Sequence, residues 1–159
     1  MLGTIGDNAH KMLEKIDDII WVVNPTNDKF QNLGLRIREF AIPLFESKNI
    51  KPEIRFDKQM NTLQLSMEVR RNIYLIAKEA INNILKYSEC RSVKILFRQE
   101  SPGLIMEISD DGKGFNTDAL TSRNGIKNMK LRAGQINSVL EIKSSPGNGT
   151  QIKLTVKLK

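Results

Sequence analysis

The sequence contains very little cysteine and histidine: its 159 residues include one of each, Cys90 and His10. A single cysteine excludes a disulfide framework and a zinc site built from several cysteines. A single histidine excludes a conventional Ser/His/Asp triad unless His10 itself takes part. The chemistry of this chain must therefore be carried by other residue types.

Long hydrophobic runs are also absent. The longest, residues 19–23, is far shorter than the ~20 residues that cross a bilayer. The first residues, Met1 to Thr4, lack the basic and apolar regions of a signal peptide. The hydrophobic fraction of 40% is nevertheless too high for a disordered chain. We expect a cytoplasmic domain, or the cytoplasmic part of a membrane-anchored protein, with no membrane contact by this segment.

Acidic residues are scarce near the C-terminus. Residues 125–159 contain seven Lys or Arg and one acid, Glu141, so they contribute +6 of the net charge of +7. Such a surface can meet nucleic acid, a small phosphorylated anion or an acidic protein. Nucleic-acid surfaces usually add aromatic side chains for stacking, and this segment has none. We therefore expect no nucleic-acid partner.

Hydrophobic periodicity predicts helices and strands in separate blocks. Helical spacing covers residues 7–23, 30–45, 66–88 and about 128–137, with Pro43 predicted to kink or stop the second helix. Strand patterns cover residues 50–56, 92–99, 104–109, 139–144 and 150–157. Strands grouped late in the chain around one helix favour an α+β sandwich over a doubly wound parallel sheet.

The longest predicted helix, 66–88, has a polar face opposite its apolar stripe. Glu79, Asn83 and Lys86 lie on that face, since their spacing is four and three residues. A carboxylate, an amide and an ammonium on one side indicate a binding site. On this helix alone, however, an ordinary solvated face with a weak Glu–Lys interaction is the favoured interpretation.

Two glycine-containing segments follow. Asp110 ends a predicted strand, and Gly112 and Gly114 come directly after it, where backbone N–H groups can approach a ligand. The spacing fits neither a P-loop nor a dinucleotide fingerprint. Gly125 precedes a predicted helix start and Lys127 lies close by, a pattern that favours an anionic phosphate chain. An aspartate at a strand end can accept a hydrogen bond from an exocyclic amine such as that of adenine.

Four segments in this order resemble the ATP-binding domain of the GHKL superfamily, and specifically that of bacterial sensor histidine kinases. Residues 79–88 resemble the N-box, residues 110–114 the first glycine box, residues 124–132 the second, and Gly149-Thr150 the closing Gly-Thr. The short gap between Phe115 and Asn124 resembles the nucleotide lid of kinases paired with NarL/LuxR-type regulators. The resemblance covers about residues 30–159 and implies a two-layer α/β sandwich of the GHKL (Bergerat) type. A mixed sheet of about five strands would be covered by three helices, with an additional N-terminal helix.

The resemblance also implies roles for individual residues. Asn83 would ligate Mg²⁺ and Glu79 would lie beside it as a base or a water-orienting group. Asp110 would bind the adenine amine, with Thr150 supporting that contact. The remaining residues would bind ATP by giving room to its base and phosphates or by neutralising the phosphates: Lys86, Gly112, Gly114, Gly125, Ile126 and Lys127.

This sequence departs from the family pattern at positions where the family has histidine. Tyr87 and Asn124 stand where many members have His, and His10 is followed by Lys11 rather than by the acidic residues expected after a phosphoacceptor. We therefore interpret residues 1–24 as the end of a dimerisation helix with its linker, and residues 25–159 as the ATP-binding catalytic domain of a longer kinase.

The expected function is that of a histidine kinase catalytic domain. It would bind Mg-ATP and donate the γ-phosphate to a histidine outside this chain, on the dimerisation helices of the same kinase. The phosphoryl group would then pass to a response regulator. The alternatives are an anti-sigma-type serine kinase and a nucleotide-binding interaction module without turnover.

Overall fold

The computed structural model describes residues 2–119 and 123–158. Within them lie the helices α1 (Leu2–Val23), α2 (Phe30–Ser47), α3 (Met67–Asn83) and α4 (Asn124–Gln135). The strands are β1 (Lys51–Phe56), β2 (Ser92–Glu100), β3 (Gly103–Asp110), β4 (Val139–Ser144) and β5 (Thr150–Lys157). Every helix and strand predicted from periodicity is present: β4 and β5 have the predicted bounds, and the other elements have shifted ends.

The strands form one mixed sheet in the order β1-β2-β3-β5-β4. β1 pairs with β2 in parallel, and the other neighbours are antiparallel. Alternate residues such as Ile95, Met106 and Leu154 are buried on the face that packs against the helices. The predicted α+β fold with a five-stranded mixed sheet is confirmed.

Helix α3 carries the polar face identified in the sequence. Ser66 caps its start, because the Ser66 hydroxyl accepts a hydrogen bond from the backbone N–H of Val69 at 3.3 Å. The predicted helix to residue 88 is a regular α-helix only as far as Asn83. A π-helical turn, Ile84–Ser88, follows and ends at Glu89, whose φ of 53° is left-handed. Such turns are frequent at functional sites.

Two other helix boundaries differ from the prediction. Pro43 does not stop α2, which continues to Ser47. Ala41 and Phe45 on either side of it are completely buried, and this packing outweighs the hydrogen bond that proline cannot make. Helix α4 begins at Asn124 rather than near residue 128, since the N–H of Lys127 already reaches the carbonyl of Arg123 at 3.3 Å.

Helix α1 joins the rest of the chain through one buried carboxylate. Asp18, 9% exposed, accepts hydrogen bonds from Lys78 at 2.6 Å, from Arg36 at 3.0 Å and from the hydroxyl of Tyr74 at 3.0 Å. Trp21, one turn later, packs against the Tyr74 ring with 5.7 Å between centroids. The C-terminal part of α1 is therefore held on α2 and α3.

A second charged contact fixes the linker after α1. Arg70 of α3 is 1% exposed and donates hydrogen bonds to Asp28 at 2.6 Å and to the carbonyl of Val22. A buried guanidinium costs much desolvation free energy unless it is paired, so the position of this linker is strongly specified.

Asp18→Asn is expected to destabilise the protein by about 1.5–3 kcal/mol at pH 7, the range for hydrogen bonds to charged groups. Burial raises the pKa of Asp18, but hydrogen bonds from Lys78 and Arg36 outweigh it and lower the pKa below its usual value. This stabilisation is complete above the unfolded-state pKa and is lost as pH falls through the folded-state pKa. In denaturant unfolding, the difference in the free energy of unfolding between wild type and Asp18→Asn should therefore shrink below about pH 4.

Asp17→Asn is the matched control, because the Asp17 side chain is two-thirds exposed and, among the described residues, has Arg36 at 2.6 Å as its one side-chain partner. Exposed pairs contribute about 0–1 kcal/mol. Equal losses in the two variants would contradict the role assigned to Asp18.

Candidate nucleotide site

A cleft lies where α3 and its π-helical turn meet the ends of β3 and β5 and the start of α4. Its lining combines apolar side chains with polar and aromatic ones. Five of the predicted site residues line this one cleft: Asn83, Asp110, Gly114, Ile126 and Thr150. The apolar lining comes from Ala80, Ile84, Ile108, Met129, Ile142 and Ile152, and the other polar and aromatic lining from Tyr87, Ser88, Lys113, Phe115 and Arg123.

Asp110 is held in one orientation at the end of β3. Its Oδ1 accepts hydrogen bonds from the Ser88 hydroxyl at 2.9 Å and from the backbone N–H of Gly112 at 2.8 Å. Its Oδ2 has no hydrogen-bond partner in residues 2–119 and 123–158. One carboxylate oxygen is thus used for positioning, and the other remains as an acceptor for a ligand.

Thr150 faces Asp110 directly in the β3–β5 register. The Ser144 hydroxyl donates to the carbonyl of Gly149 at 2.8 Å and also lies 2.9 Å from the Thr150 hydroxyl. Because a hydroxyl carries one hydrogen, Thr150 is the donor in the second contact, and its oxygen lone pairs remain available to a ligand. Ser144 also accepts the N–H of Phe115 at 2.9 Å.

The glycines around Asp110 allow segments to approach more closely than side chains permit. A Cβ added at Gly112 would overlap the carbonyl and hydroxyl oxygens of Ser88, and one at Gly149 would overlap the carbonyl oxygen of Asp110. Gly149 donates to the Gly112 carbonyl at 2.9 Å, which joins the glycine loop to the β4–β5 turn. Gly114 has a φ of +61° and lies against the Ser145 carbonyl.

Glu79 and Gly125 contact each other beside the cleft. A Cβ on Gly125 would overlap Oε1 of Glu79, so glycine at this position lets the start of α4 approach α3. Neither residue lines the cleft, and neither does Gly112. Lys86 and Lys127 are exposed and also lie outside its lining.

Several residues of the site were not singled out in the sequence. Ser88 and Ser144 position Asp110 and Thr150, and Arg123 packs over the rings of Tyr87 and Phe115. Single serines at strand and helix ends carry no periodic signal. Only the stretch of sequence similarity around Ser88 could have drawn attention to it.

The neighbouring aspartate has a different role. Asp111 accepts hydrogen bonds from the backbone N–H groups of Ser92 at 2.9 Å and Arg91 at 2.8 Å, and from the Ser92 hydroxyl at 2.8 Å. These contacts, led by the Ser92 N–H, lower the pKa of Asp111. Asp111 therefore joins the start of β2 to the glycine loop and does not face the cleft.

The chain belongs to the family of histidine kinase-, DNA gyrase B- and HSP90-like ATPases, whose family model matches residues 68–159. All the predicted site residues fall inside that match. The resemblance inferred from the four motifs is thereby confirmed, and the cleft lies in the part of the chain that matches this ATPase family.

Curated relatives include sensor kinases. The chain is 31% identical to the sensor protein VraS of Staphylococcus haemolyticus over 137 residues, covering 86% of this chain and 38% of VraS. It is 29% identical to the sensor histidine kinase LiaS of Bacillus subtilis over 124 residues, covering 77% of this chain and 34% of LiaS. The chain thus spans little more than a third of these relatives, and the domain is of the sensor histidine kinase type.

A solved structure shares the fold. The blue-light activated histidine kinase EL346 of Erythrobacter litoralis superimposes with a TM-score of 0.76 at 18% sequence identity. The superposition covers 98% of this chain and 51% of that one. Its likeness therefore includes α1 as well as the sandwich.

Gly149→Ala is expected to destabilise the protein more than Gly147→Ala. Both glycines have positive φ, +64° and +82°, so both variants lose roughly 1–2 kcal/mol from left-handed backbone. Only the Gly149 variant also forces a Cβ into the Asp110 carbonyl, whereas Gly147 has open space around it. Overpacking adds about 1–3 kcal/mol, measurable by denaturant unfolding. Equal losses would show that Gly149 is needed only for its backbone angle.

Proposed function

We propose that this chain binds Mg-ATP in the cleft and donates the γ-phosphate to a histidine outside the chain, as the catalytic domain of a sensor histidine kinase. The observation that supports it most is the Asp110 carboxylate, which is oriented by Ser88 and Gly112 with one oxygen left for a ligand. Family membership and the sensor kinase relatives support the same conclusion.

The cleft suits an adenine base. A flat aromatic ring could pack over aliphatic side chains such as Ile108 and Ile152, which lie opposite each other on β3 and β5 and line the cleft, where it would be removed from water. The 6-amino group of adenine would donate to Oδ2 of Asp110, with the Thr150 oxygen as a further acceptor. Guanine carries an oxygen at that position and would face Asp110 with no hydrogen to share.

The Mg²⁺ that accompanies ATP fits Asn83. This half-buried side chain lines the cleft, and an amide oxygen is a hard ligand of the kind that Mg²⁺ takes. The described residues contain no group of three or more His, Cys, Asp or Glu that could hold a metal ion. Phosphate oxygens and water would then complete the coordination, and the ion would neutralise phosphate charge.

The other site residues would position the reacting groups. Glu79 lies one helical turn before Asn83 and would orient the incoming acceptor or take its proton. Gly112, Gly114, Gly125 and Ile126 would shape the space for base and phosphates, and Lys86 and Lys127 would add positive charge from the rim. Catalysis in such a site is mainly positioning and charge neutralisation.

Helix α1 would connect this domain to its partners. It exposes a row of large apolar side chains, each at least half exposed: Ile5, Met12, Leu13, Ile16, Ile19 and Ile20. We assign residues 1–24 to the end of a dimerisation helix and linker, and residues 25–159 to the catalytic domain. The apolar row would pack against the other dimerisation helices of the same kinase, and the phosphoryl group would pass on to a response regulator.

No helix in the described part of the chain is long and apolar enough to cross a membrane. We assign this segment to the cytoplasmic side of the kinase, where ATP is available.

Asp110→Asn is expected to weaken ATP binding by roughly tenfold to over a hundredfold, the equivalent of ~1–3 kcal/mol for a lost buried hydrogen bond. Calorimetric titration of wild type and variant with ATP and with GTP measures this. Asp7→Asn is the matched control: it makes the same substitution at an exposed position of α1 outside the cleft lining, and should keep ATP affinity within about twofold. Wild-type protein that binds GTP as well as ATP would contradict the role of Asp110.

The chain alone is expected to bind ATP without becoming phosphorylated. His10 is exposed, and its one polar partner among the described residues is Glu14 on the next turn of α1, at 3.3 Å. Holding an acceptor in line contributes ~7–11 kcal/mol to transfer, and this chain contains no other histidine. Incubation with γ-labelled ATP should leave it unlabelled, whereas a longer chain with its upstream acceptor histidine should gain an acid-labile label. A label on His10 would contradict this assignment, and an acid-stable label would favour a serine kinase.

A further inference from the structure

The cleft described above has little positive charge available for a phosphate chain. Two of its lining residues are cationic, Lys113 and Arg123. Lys113 forms an ion pair with Glu89 at 2.8 Å, so its charge is already compensated. Within residues 2–119 and 123–158, Arg123 forms no ion pair with a carboxylate. Arg123 is therefore the lining cation whose charge remains available.

The guanidinium of Arg123 is held by two aromatic rings. Its central carbon lies 4.5 Å from the centroid of the Tyr87 ring and 5.8 Å from that of Phe115. Both rings line the same cleft. Cation–π contact engages the face of a guanidinium and leaves the N–H donors at its edge free. None of these donors has a hydrogen-bond acceptor in the part of the chain that the structure describes.

The surroundings of Arg123 are unfavourable for a guanidinium that has no negatively charged partner. Arg123 is half-buried, so it has lost part of its hydration without gaining a counter-charge. It also directly precedes α4, and the start of a helix repels cations and attracts anions. A phosphate group at the cleft mouth would compensate both costs.

We propose that Arg123 is a ligand of the nucleotide's phosphate chain, with Tyr87 and Phe115 as positioning residues that hold its guanidinium at the cleft mouth. The inference rests on the function proposed above, because it assumes a nucleotide in this cleft. It makes Arg123, alongside the Mg²⁺ held by Asn83, a residue that distinguishes nucleoside phosphates from the bare nucleoside. Lys86 and Lys127, which are exposed and outside the lining, would contribute only solvent-screened attraction.

The test is calorimetric titration with Mg-ATP, ADP and adenosine, with folding checked by thermal unfolding. Arg123→Ala is expected to weaken Mg-ATP binding at least about tenfold, the effect of losing a charge-assisted hydrogen bond. Adenosine affinity should change less than about twofold, since adenosine has no phosphate. Arg123→Lys keeps the charge but not the planar guanidinium, so its Mg-ATP affinity should lie between those of wild type and Arg123→Ala. Lys130→Ala is the matched control: it removes one charge from an exposed position of α4 outside the cleft.

The role of Tyr87 is tested with Tyr87→Leu alone and combined with Arg123→Ala. A positioning role predicts that Tyr87→Leu lowers the ratio of Mg-ATP to adenosine affinity in the wild-type background. It predicts no further change in that ratio once Arg123 is alanine. A merely structural role would lower both affinities together and leave the ratio unchanged.

The outcomes separate this inference from the proposed function. Wild-type protein that binds adenosine but not ATP, or neither, would contradict the proposed function before any variant is measured. Wild-type ATP binding that survives Arg123→Ala within about twofold would overturn only the role of Arg123. Equal losses of affinity for ATP and for adenosine in Arg123→Ala would also overturn it. If Arg123→Ala is unstable, an unchanged ATP affinity in a folded Arg123→Lys variant would overturn it instead.

Discussion

The site depends on the hydrogen bonds to one carboxylate oxygen of Asp110. Because Oδ1 accepts from Ser88 and from the N–H of Gly112, the end of β3, the π-helical turn and the glycine loop are joined at a single point. The β4–β5 turn closes over it through Gly149, where a Cβ would overlap the Asp110 carbonyl. A small displacement of any of these segments would turn the free carboxylate oxygen away from the cleft.

A second constraint lies along α3, from Arg70 in its first turn to Lys78. Asp18 and Arg70 are buried charges that tie helix α1 and its linker to α2 and α3. Buried charged contacts of this kind specify one arrangement, because any alternative leaves a charge unpaired. The end of the proposed dimerisation helix therefore packs on the same helix, α3, that carries Asn83.

The two constraints leave the cleft mouth as the part held least by charged contacts. There Arg123 is held by ring contacts rather than by carboxylates, which suits a group that must release and accept an anionic ligand. Tyr87, which departs from the histidine common at this place in the family, supplies the nearer of those rings. The departure thus accompanies a different way of placing positive charge near the phosphates.

The sequence by itself determined the α+β class, the order of the elements, the family and five residues of the cleft, because apolar periodicity and motif spacing are local properties. Asp110 and Thr150 were recognisable since each belongs to a short motif with a glycine beside it. Only the tertiary structure decided that Ser88 and Ser144 orient them, that Glu79 packs on Gly125, and that Lys86 and Lys127 lie outside the lining. Those facts depend on how strands and helices far apart in the chain meet, and on one π-helical turn that changes which side chains face the cleft after Asn83.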